Sequence, residues 1–249
     1  MPWRETRDPY CILVSEVMLQ QTQVARVMVK YAEFLAAFPT VRHLAQASLQ
    51  DVLQVWRGLG YNRRVLALKC CAEEVVKLHG GCLPDTVADL EKLPGIGPYT
   101  AGALAAFAYD IATPVIETNI RTVFIHFFFH GQEKVADRQI MPLVAVTLPL
   151  DSPRAWYYAL MDYGVTIKQA NPNPGRRSAH YVRQSTFEGS NRQLRSRMLQ
   201  EIMKCAGMSP QRLAKLLTAE TGQIEKNSAA RVQEGFLEKK GRGYGIKEG

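Results

Sequence analysis

Four short segments combine residue types and spacings that could do chemistry. Glu16 and Gln20 stand four apart within Ser15-Glu16-Val17-Met18-Leu19-Gln20-Gln21-Thr22-Gln23, a helical spacing that puts carboxyl and amide on one face, with Gln23 a turn further on. Taken alone, that stripe also fits the wet side of an amphipathic helix. In Pro114-Val115-Ile116-Glu117-Thr118-Asn119-Ile120-Arg121, Glu117 falls at a helix N-terminus, where the macrodipole and free N–H groups hold a carboxylate ionised and able to face a developing cation. A plain surface cap has the same pattern. Leu93-Pro94-Gly95-Ile96-Gly97-Pro98-Tyr99-Thr100-Ala101 joins two helices by a turn whose Gly95 and Gly97 permit positive φ and leave backbone N–H groups open to a phosphate oxygen. A tight helix connection also uses glycines, but this run is far more restrictive than a lone Gly-x-Gly. In Val55 to Arg64, a glycine turn, Tyr61, Arg63 and Arg64 are the ingredients of a base-stacking wedge with phosphate contacts, or of a core tyrosine beside solvated arginines.

The elements that must position these groups are helical. Apolar residues recur at three- and four-residue spacing, and period-two alternation is scarce until the last twenty residues. The pattern predicts helices over 10–30 continuing to 38, and over 41–47, 49–57, 63–78, 86–92, 99–109 and 118–129. Short glycine and proline loops join them. Such loops force neighbouring helices to be antiparallel or steeply angled, as in an all-helical core. Residues 169–177 carry turn residues and no apolar period, and read as an irregular loop or linker. From Ser190 the order helix, helix, hairpin is that of a winged-helix module: one helix ends at Gly207, a second opens at Ser209-Pro210 and stops at Gly222, and strands follow at 232–239 and 244–246. The expected domains are therefore 1–185 and 186–249.

The 249 residues, 47% hydrophobic and 22% charged, suffice for one buried core with a small second module, which excludes collagen-like and disordered classes. Lys and Arg number 31 against 23 Asp and Glu, giving a formal charge of +8 that suits a polyanionic partner. No run approaches the roughly 18 apolar residues of a membrane span, and the first residues have no signal-peptide pattern, so a cytoplasmic protein without membrane partners is expected. The five cysteines, at 11, 70, 71, 82 and 205, show no CxxC or Cys/His pair at ligand spacing, which speaks against disulfides and zinc.

Together, and in this order, these segments resemble the helix-hairpin-helix (HhH-GPD) DNA glycosylases of base-excision repair, and within them the A/G-specific adenine DNA glycosylases. The resemblance covers roughly residues 1–168. It is carried by Pro2-Trp3-Arg4, Asp8-Pro9-Tyr10, Ser15 to Val24, Phe38-Pro39-Thr40, Gly58 to Tyr61, Leu93 to Ala101 and Ile116 to Val123. It implies a mostly α, two-lobed fold and a monofunctional N-glycosylase that flips adenine, mispaired with guanine or 8-oxoguanine, out of double-stranded DNA. The implied catalytic residues are Glu16 as acid, Glu117 as cation-stabilising carboxylate, and Tyr99 and Asn119 beside them. Arg4, Leu19, Gln20 and Gln21 would line the base pocket, with Tyr61 as wedge. Gly95, Gly97, Thr100, Arg63, Arg64, Arg176 and Arg177 would contact phosphates.

The chain departs from the family pattern in ways that leave two alternatives open: a glycosylase for another damaged or mispaired base, and an inactive lesion binder. The family usually has Asp where Glu117 stands, and an extra methylene can misplace a charge at a cost of ~100-fold in rate. The positions matching the family's four cluster cysteines are Lys168, Gly175, Ser178 and Gln184, none of which ligates iron, so no iron–sulfur cluster and no other metal or cofactor is expected. Residues 168–197 contain seven Lys or Arg and one acid, a basic stretch able to grip phosphates directly. The tail from Ser190 is too small to be the 8-oxoguanine-recognising domain of many relatives. Strand-cutting relatives place a Schiff-base lysine where Tyr99 stands, which implies hydrolysis alone. The chain begins at the family's Pro-Trp-Arg segment, so the family's amino-terminal helix is expected upstream of Met1 or missing.

Overall fold

The structure is a computed structural model describing every residue except Gln184, Ser185 and Gly249. Its described residues form thirteen α-helices and one hairpin. The helices are α1 (Pro9–Leu19), α2 (Val24–Ala37), α3 (Val41–Gln46), α4 (Leu49–Trp56), α5 (Arg63–His79), α6 (Val87–Leu90), α7 (Pro98–Ala108), α8 (Thr118–Phe128), α9 (Asp137–Thr147), α10 (Pro153–Ala170), α11 (Asn191–Lys204), α12 (Pro210–Leu217) and α13 (Thr221–Gln233). The strands are β1 (Leu237–Lys240) and β2 (Gly243–Ile246), paired antiparallel from Leu237 opposite Ile246 to Lys240 opposite Gly243. Among the described residues no helix is long and apolar enough to cross a membrane.

The chain divides into two compact units, one of Met1–Gln20 with Cys82–Arg183, the other of Gln21–Gly81 with Gln184–Gly249. In the first, α1 and α7 pack together, and both are buried on nearly all sides: Ile12 to Met18 and Thr100 to Ala108 are interior. A helix apolar all round belongs in a core. Asp8 starts α1 by accepting from the N–H groups of Tyr10 (2.8 Å) and Cys11 (3.2 Å), with Pro9 in the first turn. The alanines of α7, with Gly102 against Val115, let the segment leading to Glu117 lie on the helix itself. Helix α8 packs on α10, where Gly164 gives the room: a Cβ there would stand 2.5 Å from the carbonyl oxygen of Asn119.

In the second unit, α3 and α4 pack on α5 and α2 on α4, around Phe34, Leu44 and Trp56. The tail residues Leu213, Ile224, Phe236 and Leu237 are buried within this unit. Ser190 and Ser209 cap α11 and α12 by accepting from the N–H groups of Gln193 and Arg212.

Three expectations are corrected. The helix expected over 10–38 breaks between Leu19 and Val24, because Gln21 takes a left-handed φ of 54°. Gln20 is therefore the cap residue that closes α1, one turn beyond Glu16. The tail has a third helix, α13, where a stop and a strand were expected: Gly222 lies in its first turn, and Gly235, at φ 83°, follows its end. The division also differs from 1–185 and 186–249, since residues 21–81 cluster with the tail.

Candidate active site

Glu117 reaches its place through a segment fixed by Tyr157. The Val115 N–H donates to the Tyr157 hydroxyl (3.0 Å), which donates to the carbonyl of Thr113 (2.7 Å). Glu117 then caps α8, its Oε1 accepting from the N–H groups of Asn119 (2.6 Å) and Ile120 (2.9 Å). Burial pushes its pKa above the ordinary carboxylate value, while those N–H groups, Lys168 and Arg121 pull it back. The net direction is upward, against the expectation from the helix end alone, because desolvation outweighs the cap.

Glu16 projects from the middle of α1 and is 7% exposed. Burial raises its pKa from 4.5 to about 7, the bond from Tyr99 opposes this, and the Glu117 charge adds to it. Such a carboxyl has a proton to give near neutrality. Tyr99 comes from the first turn of α7, delivered by the glycine hairpin, and its hydroxyl donates to Glu16 Oε2 at 3.0 Å. Burial and both carboxylates push the tyrosine's pKa well above its usual value, so it stays a donor. Asn119 turns its Nδ2 toward Glu117 Oε2 (3.5 Å) and its Oδ1 toward the Lys168 amine (2.6 Å). Glu16, Tyr99, Glu117 and Asn119, expected from three separate segments, thus share one site in the first unit. At least two of its members, Glu16 and Glu117, sense each other's charge.

The other expected site residues are placed as follows. Arg4 makes a two-pronged pair with Asp162 (2.8 and 2.9 Å) and lies 4.5 Å from the centre of the Tyr158 ring, whose hydroxyl senses both Arg4 and Glu16. Leu19 and Gln20 are half-buried at the end of α1, and Gln21 is exposed. In the hairpin, Gly95 has φ 74° and Gly97 precedes α7; both are exposed. The Thr100 side chain is buried, so what this residue offers a phosphate is the first-turn N–H, which has no intrahelical partner. Arg176 is exposed. Arg177 instead binds the last carbonyls of α8 and its exit, those of Ile125 (3.2 Å), Phe129 (2.5 Å) and Gln132 (3.3 Å), a structural commitment in place of the expected phosphate contact.

Within the second unit, Tyr61 sits in a left-handed conformation at φ 47°. Its hydroxyl accepts from Arg192 (2.6 Å), whose guanidinium lies 5.2 Å from the ring centre; that of Arg64 lies at 5.5 Å. Arg63 is exposed, but Arg64 donates to the carbonyls of Leu59 and Gly60 (3.2 Å each) and to Thr22 (3.1 Å), pinning the glycine turn rather than offering itself to phosphate. Sequence reasoning missed Arg192 as a partner of Tyr61 and Lys168 as a partner of Asn119. Neither contact has a local signal, being 131 and 49 residues apart in the chain.

The family's iron–sulfur cluster does not fit the residues present. Lys168 is bound to Asn119, Ser178 is buried in a bridge with Val135, and Gly175 sits against Thr122; Gln184 lies outside the described residues. None offers a thiolate, and among the described residues no group of three or more His, Cys, Asp or Glu could hold a metal ion.

Residues 14–144 match the model of the HhH-GPD superfamily base excision DNA repair proteins. The adenine DNA glycosylase of Mycobacterium tuberculosis is 35% identical over 227 residues, covering 83% of this chain and 74% of that protein. The human adenine DNA glycosylase is 37% identical over 179 residues, covering 67% of this chain and 33% of that protein. Among solved structures, a thermostable thymine-DNA glycosylase superposes with a TM-score of 0.62 at 26% identity, covering 66% of this chain and 77% of that one. An endonuclease III–DNA complex, at TM-score 0.54 and 18% identity, covers 65% and 74% and shares the fold. On the family model that matches more than half of it and on relatives at least 35% identical over most of its length, the chain belongs to the HhH-GPD superfamily of base excision DNA repair proteins, in the adenine DNA glycosylase family.

Proposed function

We propose that the protein binds double-stranded DNA, flips out adenine mispaired with guanine or 8-oxoguanine, and hydrolyses its N-glycosidic bond. The observation that carries this reading is Glu16: a buried carboxyl with a pKa near 7, hydrogen-bonded to Tyr99 and electrostatically coupled to Glu117. Extruding the base costs a few kcal/mol, which duplex contacts must repay. Glu16 then gives its proton to a ring nitrogen of the purine. The C1′–N9 electron pair leaves with the base, and the sugar becomes an oxocarbenium-like cation facing the Glu117 carboxylate. Water bonds to C1′ and loses its proton to a carboxylate, leaving an abasic site and free adenine. The hairpin N–H groups and the exposed Arg63 and Arg176 supply backbone contacts.

Hydrolysis alone is the expected outcome, because Tyr99 occupies the place of the strand-cutting relatives' lysine, and no metal or cluster takes part. The cytoplasm is the proposed location. A second reading, a glycosylase for a different mispaired base, is favoured by the 26% identity to a thymine-DNA glycosylase and by Glu117 at a position where the family resemblance implies Asp. Single-turnover assays on duplexes containing one A·8-oxoguanine, A·G, T·G or U·G pair decide between them. Release of adenine from the first two supports the proposal, and release of only a pyrimidine overturns it.

A further inference from the structure

We propose that Lys168 is a positioning residue for base release: from α10 it fixes the side-chain amide of Asn119, and through it the orientation of the Glu117 carboxylate at the head of α8. The inference deepens the proposed function and rests on it for its kinetic readout. Gly164 and Lys168 lie four apart on α10 and so share a face. The first lets the helix approach the Asn119 backbone, and the second extends its amine to Asn119 Oδ1 at 2.6 Å.

A side-chain amide has two ends of similar shape and opposite polarity. With its oxygen held by an ammonium, its NH2 must face the other way, and there Glu117 Oε2 stands at 3.5 Å. Glu117 Oε1 is already fixed by two backbone N–H groups, so this is the remaining degree of freedom of the carboxylate. Arg121 also acts on Glu117, but its guanidinium is bound to Asp137 by two bonds of 2.7 Å. Lys168 has no such carboxylate partner among its described hydrogen bonds.

The test compares wild type with Lys168→Met, Lys168→Arg, Asn119→Ala and the Met/Ala double variant in single-turnover base release across pH. Duplex affinity and thermal melting are measured alongside. The titratable and charged groups acting on Glu117 and its neighbours are Glu16, Tyr99, Tyr158, Lys168, Arg121, Asp137 and His180. Removing Lys168 takes away an influence that lowers the Glu117 pKa, so the acid limb of the profile should move to higher pH. The expected results are an order-of-magnitude loss of rate in Lys168→Met, duplex affinity within about twofold, partial rescue in Lys168→Arg, and a double variant no slower than Asn119→Ala. A wild-type profile in Lys168→Met, or multiplicative losses in the double variant, overturns the proposal.

Should Lys168→Met not melt cooperatively, Lys168→Gln takes its place. If the wild type itself releases no base, the functional reading fails and the contact is judged separately, by titrating protein carrying 13C at the lysine ε-carbons. The signal lost in Lys168→Met should then shift in Asn119→Ala, and a signal indifferent to Asn119 sinks the inference.

Discussion

The carboxyl site of the first unit and the Tyr61 turn of the second are held by opposite means. Around Glu16 and Glu117, burial outweighs the nearby charges: both acids are pushed above their ordinary pKa values, and Tyr99 is pushed further still. Around Tyr61, charge is abundant: the guanidiniums of Arg64 and Arg192 lie near the ring, and the backbone is bent into positive φ. One region tunes where a proton resides; the other fixes where an aromatic ring points. Substitutions in the first should therefore change rate and pH dependence, and those in the second binding and shape.

The largest effect expected is from Glu16→Gln, which keeps the size of the side chain and removes the proton it can give. Base release should fall by about 1000-fold, within the range of a lost general acid, while duplex binding persists. Undiminished release would remove Glu16 from the chemistry.

The same substitution tests the pKa through stability. In the folded protein Glu16 titrates near 7 and in the unfolded chain near 4.5, so the folded state holds the proton more tightly. Stability therefore falls as pH rises from 4.5 to 7, and above 7 the full penalty of a buried charge is present. Two and a half pH units correspond to about 3 kcal/mol. Glutamine carries no such penalty, so Glu16→Gln should melt higher than wild type at pH 8, with the gap closing toward pH 5. Equal melting at pH 8 would mean that Glu16 is solvated.

The contrast between the regions also explains what could be read in the sequence. Glu16, the hairpin and Glu117 sit in local patterns, and helix periodicity located α3 to α8 to within a few residues, because each is ended by a nearby cap, glycine or proline. Periodicity could not see the break at Gln20–Gln23, since apolar residues on either side stay in helical phase. It took Gly222 for a stop because a glycine in a helix's first turn looks, in one dimension, like one following its last. Helices α9 and α10 were not anticipated, although Ser152-Pro153 precedes the second in the pattern of a helix start. The commitment of Arg177 to the α8 carbonyls and of Arg64 to the glycine turn depends on distant backbone, so both look from sequence like phosphate ligands.

For the second region, Tyr61→Ala should weaken binding to a mispair-containing duplex by about tenfold, since stacking an aromatic on a base contributes ~1–3 kcal/mol. Base release measured at saturating enzyme should fall less than in Glu16→Gln, and the acid limb should not move. A pH shift in Tyr61→Ala would erase the contrast between the two regions.

The smallest effect belongs to Arg192→Ala, which removes one of the two guanidiniums that hold Tyr61. The hydroxyl bond at 2.6 Å and the guanidinium over the ring are both lost, but Arg64 and the positive φ remain. A half-buried cation–π contact lies between the ~0.5–1 kcal/mol of an exposed one and the ~2 kcal/mol of a desolvated one, so melting should drop by a few degrees and duplex affinity by about threefold. The loss should follow Tyr61: in a Tyr61→Ala background the added Arg192→Ala change should cost little, because residues in contact are not additive. A full threefold loss in that background would place the contribution of Arg192 outside Tyr61, in its contact with the Phe187 ring at 5.4 Å or at the DNA itself.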